Sequence, residues 1–256
     1  MRFLVFLMCL LLALPVQAGN VRVAVASNFA PAMEALARAF ELQQGHPVEV
    51  MAGSSGSIYA QIRQGAPFDL FLSADAARPA RLVEDGLARP QHRAPYAFGS
   101  LVFWTMKNRA ALETPGDVSA YLATLRPRSV AIANPATAPY GQAAMQVLAA
   151  LGQAKVSPVQ GQNVGQAFTL VASGNASAGF VARSQFYKTF QTAIDNIPPG
   201  SMWLVPADLH APIQQDMVLL LRARQNSAAQ ALFAWLQGPY ARTRIEAWGY
   251  TLPGKP

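Results

Sequence analysis

VRVAVASNFAPAMEALARAFELQQGHPVEVMAGSSGSIYAQIRQGAPFDLFLSAD, residues 21–75, decides the fold. Val21–Ala26 is an apolar run broken only by Arg22. It turns at Ser27-Asn28 into a segment where Met33, Leu36, Ala37 and Phe40 recur at i, i+3, i+4 and i+7. That spacing puts apolar side chains on one helical face. Pro31 suits the first turn, where its missing N–H costs nothing, and Gly45 followed by Pro47 stops the helix. The unit then repeats: Val48–Ala52 reads as a strand, Gly53-Ser54-Ser55-Gly56-Ser57 as a turn, Ile58–Gln64 as a helix and Phe68–Ala74 as a third strand.

Strands that alternate with helices predict an α/β protein with a mainly parallel sheet covered by helices. The pattern continues outward. Leu101–Thr105, Ser129–Ala133, Ala178–Ala182 and Asp216–Leu221 read as strands, and Gln142–Leu151, the segment opened by Asn163-Val164-Gly165, Ser227–Gln237 and Tyr240–Ala247 as helices. In such sheets ligands bind beyond the carboxyl ends of the strands, where both serine-bearing turns fall.

Four turns that lead into helices lack charge but are rich in donors: Ser27-Asn28, Ser54-Ser55-Gly56-Ser57, Tyr140-Gly141 and Asn163-Val164-Gly165. Each alone is explained by helix capping, since Ser and Asn are preferred caps. Together they suit an anion, because a helix N-terminus presents unpaired N–H groups and a partial positive charge. Each hydrogen bond to a charged group contributes about 1.5–3 kcal/mol, so five to eight give roughly 8–24 kcal/mol. Micromolar to nanomolar binding needs about 8–12 kcal/mol, so neutral donors suffice if water is excluded. A fully deprotonated tetrahedral oxyanion only accepts hydrogen bonds, and these turns hold no carboxylate to receive the proton of hydrogen phosphate. Selection against phosphate is expected; molybdate, tungstate and sulfate stay open on these residues alone.

Arg2 followed by the apolar run Phe3–Leu14 and by Val16-Gln17-Ala18 reads as a secretory leader, residues 1–18, cleaved after Ala18. Its apolar run is shorter than the ~20 residues a membrane span needs. Cys9, the only cysteine, lies inside it, so a mature chain has no thiol for disulfides, nucleophilic catalysis or metal thiolates. The formal charge of +7 is spread over scattered basic residues rather than a stripe, which argues against nucleic acid as partner.

GAPFDLFLSAD, residues 65–75, resembles a signature of the periplasmic molybdate-binding proteins, the substrate-binding subunits of molybdate ABC transporters. The Ala26-Ser27, Ser54-Ser55 and Pro139-Tyr140-Gly141 turns and the closing Ala247-Trp248-Gly249-Tyr250 extend the likeness over nearly the whole mature chain. The resemblance implies a two-lobed periplasmic-binding-protein fold of type II, with two crossover strands near residues 98–103 and 213–217 and the ligand in the interlobe cleft. Lobe I would comprise residues 19–100 plus 214–256, and lobe II residues 101–213. It implies a periplasmic monomer that captures molybdate, and tungstate with it, for a membrane permease and ATPase, with no cofactor and with molybdenum present only inside the oxyanion. Its contacts carry over to Ser27, Ser55, Tyr140 and Val164. One position departs: a tyrosine that donates to the ligand after the Gly-x-Val strand is replaced by Ala182, and the Asn28 side chain is expected to supply the missing donor.

Other readings are weaker. Gly53-Ser54-Ser55-Gly56-Ser57 fails the G-x-S-x-G elbow of a hydrolase at Ser57, and His46, His92 and His210 lie in loop-like sequence without an evident active-site strand. No HxH, HExxH or carboxylate cluster suggests a metal. Asp69 and Asp75 read as structural, one before a buried strand and one as a cap. A carboxylate-binding relative with Arg63 or Arg183 as its clamp is the remaining alternative.

Overall fold

The computed structural model describes residues 19–107, 112–125, 129–190 and 199–254. The leader expected at 1–18 lies outside the described residues. The first sheet is built from β1 (Val21–Ala26), β2 (Val48–Gly53), β3 (Leu70–Leu72), β4 (Ala88–Gly99) and β10 (Ile213–Leu220), in the order β2-β1-β3-β10-β4. The second takes β5 (Leu101–Thr105), β6 (Val130–Ala133), β7 (Val159–Gly161), β8 (Ala178–Ala182) and β9 (Ser201–Leu204), in the order β7-β6-β8-β5-β9. The chain passes from the first sheet to the second at Ser100 and returns between Leu204 and Ile213, which gives the two-lobed α/β arrangement.

Each sheet is mixed, which corrects the mainly parallel expectation. β1 runs parallel to β2 and β3, and β6 parallel to β7 and β8, but β10 is antiparallel to β3 and β4, and β5 to β8 and β9. The reversals fall on the strands next to the crossings, where a chain changing sheets no longer follows a strand–helix–strand unit.

Helices cover both faces of each sheet, so the inner strands are buried throughout. On one side of the first sheet Val21, Val23 and Val25 pack with Met33, Leu36 and Phe40 of α1 (Ala30–Gln44), and on the other Ala24, Phe71 and Val218 pack with α2 (Ser55–Arg63) and α3 (Ala77–Glu84). The second sheet does the same, with Ile132 and Phe180 against α5 (Pro139–Ala150), and Trp104 and Val181 against α6 (Val164–Ala172). The predicted α1 face is buried as expected, and Gly45 at φ 71° closes the helix by donating its N–H to the Glu41 carbonyl. β4 escaped the sequence reading because Pro90, Pro95 and its arginines hide any alternation. As the edge strand it tolerates the prolines. Among the described residues no helix is long and apolar enough to cross a membrane.

Candidate ligand-binding site

The capping explanation holds for two of the turns and frees their neighbours. Ser54 caps α2, its hydroxyl accepting the Ser57 N–H at 3.3 Å, and Asn163 caps α6 by accepting the Gln166 N–H at 3.1 Å. Once those caps are filled, Ser55 and Val164 stand at the first helical position with N–H groups directed outward. α5 starts at Pro139 with no side-chain cap, leaving Tyr140 in its first turn.

Ser27, Asn28, Ser55, Tyr140 and Val164 all line one cavity between the two sheets. Its remaining walls are Ala26, Gly53, Ser54, Ala74, Ala138, Pro139 and Asn163, so no charged residue lines it. Among the described residues the backbone N–H groups of Asn28, Ser55, Tyr140 and Val164 find no acceptor. Two hydroxyls add to them. Ser55 Oγ accepts the Ala74 N–H at 2.9 Å and Ser27 Oγ accepts the Gly165 N–H at 3.4 Å, which leaves each hydroxyl proton free to donate. The cavity is therefore a ring of donors at helix N-termini, the arrangement an anion without protons needs.

Asn28 contributes differently from expectation. Its amide nitrogen donates to Gln215 Oε1 at 2.9 Å and to the Tyr250 hydroxyl at 3.1 Å, so both amide hydrogens are used inside the protein. What Asn28 offers the cavity is its main-chain N–H. Its Oδ1 is buried without a partner among the described residues. Ala182 is fully buried in β8 and donates nothing, but two residues on Ser184 donates its hydroxyl to the Asn28 carbonyl at 3.1 Å and so reaches the opposite turn. Tyr250 approaches the same group, its hydroxyl lying 2.9 Å from both the Asn28 carbonyl and Ser184 Oγ.

Sequence reasoning missed Gln215, Tyr96 and Ser184, which surround the cavity lining rather than form it. Tyr96 donates to Gln215 Oε1 at 2.9 Å, and Gln215 Nε2 donates to the Tyr140 hydroxyl at 3.3 Å. Burial raises the pKa of Tyr96, Tyr140 and Tyr250 well above the usual tyrosine value, so all three hydroxyls stay neutral. The only signal for this network in the sequence is a polar residue inside a buried strand, Gln215 in β10.

The two aspartates are structural, as expected. Asp69 accepts the Arg22 N–H at 2.9 Å, and Asp75 accepts the Arg78 N–H at 2.8 Å at the start of α3 and pairs with the Arg78 guanidinium. Arg63 and Arg183 do not line the cavity, and Arg63 is paired with Asp85 at the surface. No cluster of metal-ligating side chains exists among the described residues.

Comparison with known proteins agrees with this geometry. Residues 21–251 match the sequence pattern of a family described as bacterial extracellular solute-binding proteins. The chain is 44% identical over 248 residues to the molybdate-binding protein ModA of Azotobacter vinelandii, covering 94% of each chain. It is 43% identical over 242 residues to its namesake in Rhodobacter capsulatus, covering 93% of this chain and 91% of that one. The solved structure of the Azotobacter vinelandii periplasmic molybdate-binding protein superposes with a TM-score of 0.82 at 39% identity, over 91% of this chain and 99% of that one.

Proposed function

The chain belongs to the bacterial extracellular solute-binding proteins, and from that premise we propose that it captures molybdate, and tungstate with it, for an ABC importer. It is a binding protein rather than an enzyme, in keeping with relatives named for binding molybdate. The observation that carries the ligand class is the convergence of four unpartnered backbone N–H groups, three of them in the first turns of helices, and two serine hydroxyls on one uncharged cavity. Six donors to a charged ligand contribute roughly 9–18 kcal/mol at about 1.5–3 each. That range overlaps the ~8–12 kcal/mol of a micromolar to nanomolar receptor.

We take Ser27 and Ser55 to act through hydroxyl and main chain, and Asn28, Tyr140 and Val164 through the main chain. The division into lobe I, residues 19–100 plus 214–256, and lobe II, residues 101–213, follows the sheets each segment joins. A membrane permease and ATPase complete the importer, since a soluble receptor moves no solute across a membrane by itself. One copy suffices, because both walls of the cavity come from a single chain. The leader-like sequence of residues 1–18 supports a periplasmic location for this receptor.

A ligand bound only by the native state raises its melting temperature by mass action. Melting of the purified chain should rise with molybdate and tungstate; a midpoint unmoved by either would refute the reading.

A further inference from the structure

Gln215 is fully buried on β10, the strand by which the chain returns to the first sheet. β10 needs only its main chain for pairing, and an apolar side chain would fill the space as well. The amide instead meets three separate elements. Its Oε1 accepts from Asn28 Nδ2 at 2.9 Å and from the Tyr96 hydroxyl at 2.9 Å, while its Nε2 donates to the Tyr140 hydroxyl at 3.3 Å. Asn28 belongs to the turn after β1, Tyr140 opens α5 on the second sheet, and Tyr96 lies on β4, the strand leading to the other crossing. One side chain thus joins both walls of the cavity to both crossings between the sheets.

Room for this junction is kept by Gly99, the last residue of β4. A Cβ there would overlap the Tyr140 hydroxyl and come 2.6 Å from Gln215 Nε2. The junction also requires an amide. A carboxylate of the same size accepts from Asn28 and Tyr96 but cannot donate to Tyr140, and it sets a negative charge behind an anion site. A methionine fills the volume and makes none of the three bonds.

Accepting the oxyanion reading of the cavity, we propose that Gln215 is a positioning residue. It holds the Asn28 turn and the Tyr140 helix start in the register that lets N–H groups from both lobes reach one ligand together, and it does so at the hinge, where the lobes rotate against each other. It does not touch the ligand. Its loss should therefore loosen the closed, liganded state more than the protein itself.

The test uses residues 19–256 of the parent chain with Gln215→Met, Tyr140→Phe and the double variant, read by molybdate titration and by stopped-flow tryptophan fluorescence. Gln215→Met is expected to weaken molybdate binding roughly 10- to 100-fold, as loss of buried hydrogen bonds does, with most of the change in the dissociation rate. Tyr140→Phe removes the same link from its other end, so the double variant should be no more than about twofold worse than Gln215→Met. That coupling is a readout a purely structural role would not produce. Should Gln215→Met fail to fold, Tyr140→Phe with Gln215 intact must still dissociate faster than the parent. A Gln215→Met protein that binds within twofold of the parent, or effects that multiply in the double variant, would overturn the proposal. A parent chain that binds no molybdate would instead overturn the oxyanion reading, and this one with it.

Discussion

Gly56 donates its backbone N–H to the Thr137 carbonyl over 2.8 Å, tying the first turn of α2 to the loop before α5 at the edge of the cavity. A Cβ on Gly56 would lie 2.9 Å from Thr137 Cα and 3.0 Å from the Thr137 carbonyl and from Arg78 Nη2. Two of those contacts are backbone, so the lobes must part to admit it. Gly56→Ala should therefore cost about 1–3 kcal/mol of closed-state stability, as forced overpacking does. Titration should show weaker molybdate binding with little change in the melting temperature of the free protein, and small-angle scattering should show less compaction on adding ligand.

Ser55→Ala removes a hydroxyl that accepts the Ala74 N–H and holds a proton for the cavity. Both roles end together. Affinity for molybdate should fall by about 1.5–3 kcal/mol, or more than tenfold, and the fold should lose about 1 kcal/mol because the Ala74 N–H is left without its acceptor. Titration and denaturant unfolding separate the two effects, and an unchanged affinity would remove Ser55 from the site.

Burial raises the folded-state pKa of Tyr96, Tyr140 and Tyr250 above the unfolded value of about 10. A group shifted upward contributes stability that is fully present below its unfolded value and is lost as pH rises toward its folded value. Molybdate binding should be flat from about pH 6 to 9, since no cavity hydroxyl titrates there, and the melting temperature should fall as pH rises beyond about 10. Tyr96→Phe should flatten that alkaline fall, which melting curves at stepped pH will show.

Asp216 is buried on β10 and accepts from Arg93 Nε at 2.8 Å and from Gln214 Nε2 at 3.0 Å. Arg93→Ala leaves a buried carboxylate with only the amide. Because Arg93 is itself about a third exposed, the cost should be about 1–3 kcal/mol, as for an under-satisfied buried group. Denaturant unfolding checks it, and Arg93→Ala combined with Asp216→Asn should recover part of the loss.

The parts of this fold visible in the sequence are those where one local rule acts alone. The α1 face, the Gly45 stop and the donor-rich turns follow from spacing and from preferences that need no tertiary contact. The turns that carry Ser27, Asn28, Ser55, Tyr140 and Val164 were legible for that reason, whereas those residues within them were singled out by the family resemblance, and the turns meet at one cavity only because their strands lie in two facing sheets. β4 was not legible, since prolines on an edge strand break the alternation that reveals strands. The antiparallel crossings depend on where the chain changes sheets, which no window of residues encodes. The direction of the Asn28 amide was misread for a similar reason: its partners, Gln215 and Tyr250, lie 187 and 222 residues away in the chain.

The most direct measurement is calorimetric titration of molybdate, tungstate, sulfate and phosphate into residues 19–256 at neutral pH. A cavity of neutral donors without a carboxylate predicts one molybdate per chain with a dissociation constant between about micromolar and nanomolar, competition by tungstate, and no saturable heat from phosphate. Phosphate bound as tightly as molybdate, or no molybdate heat from a folded chain, would contradict the account.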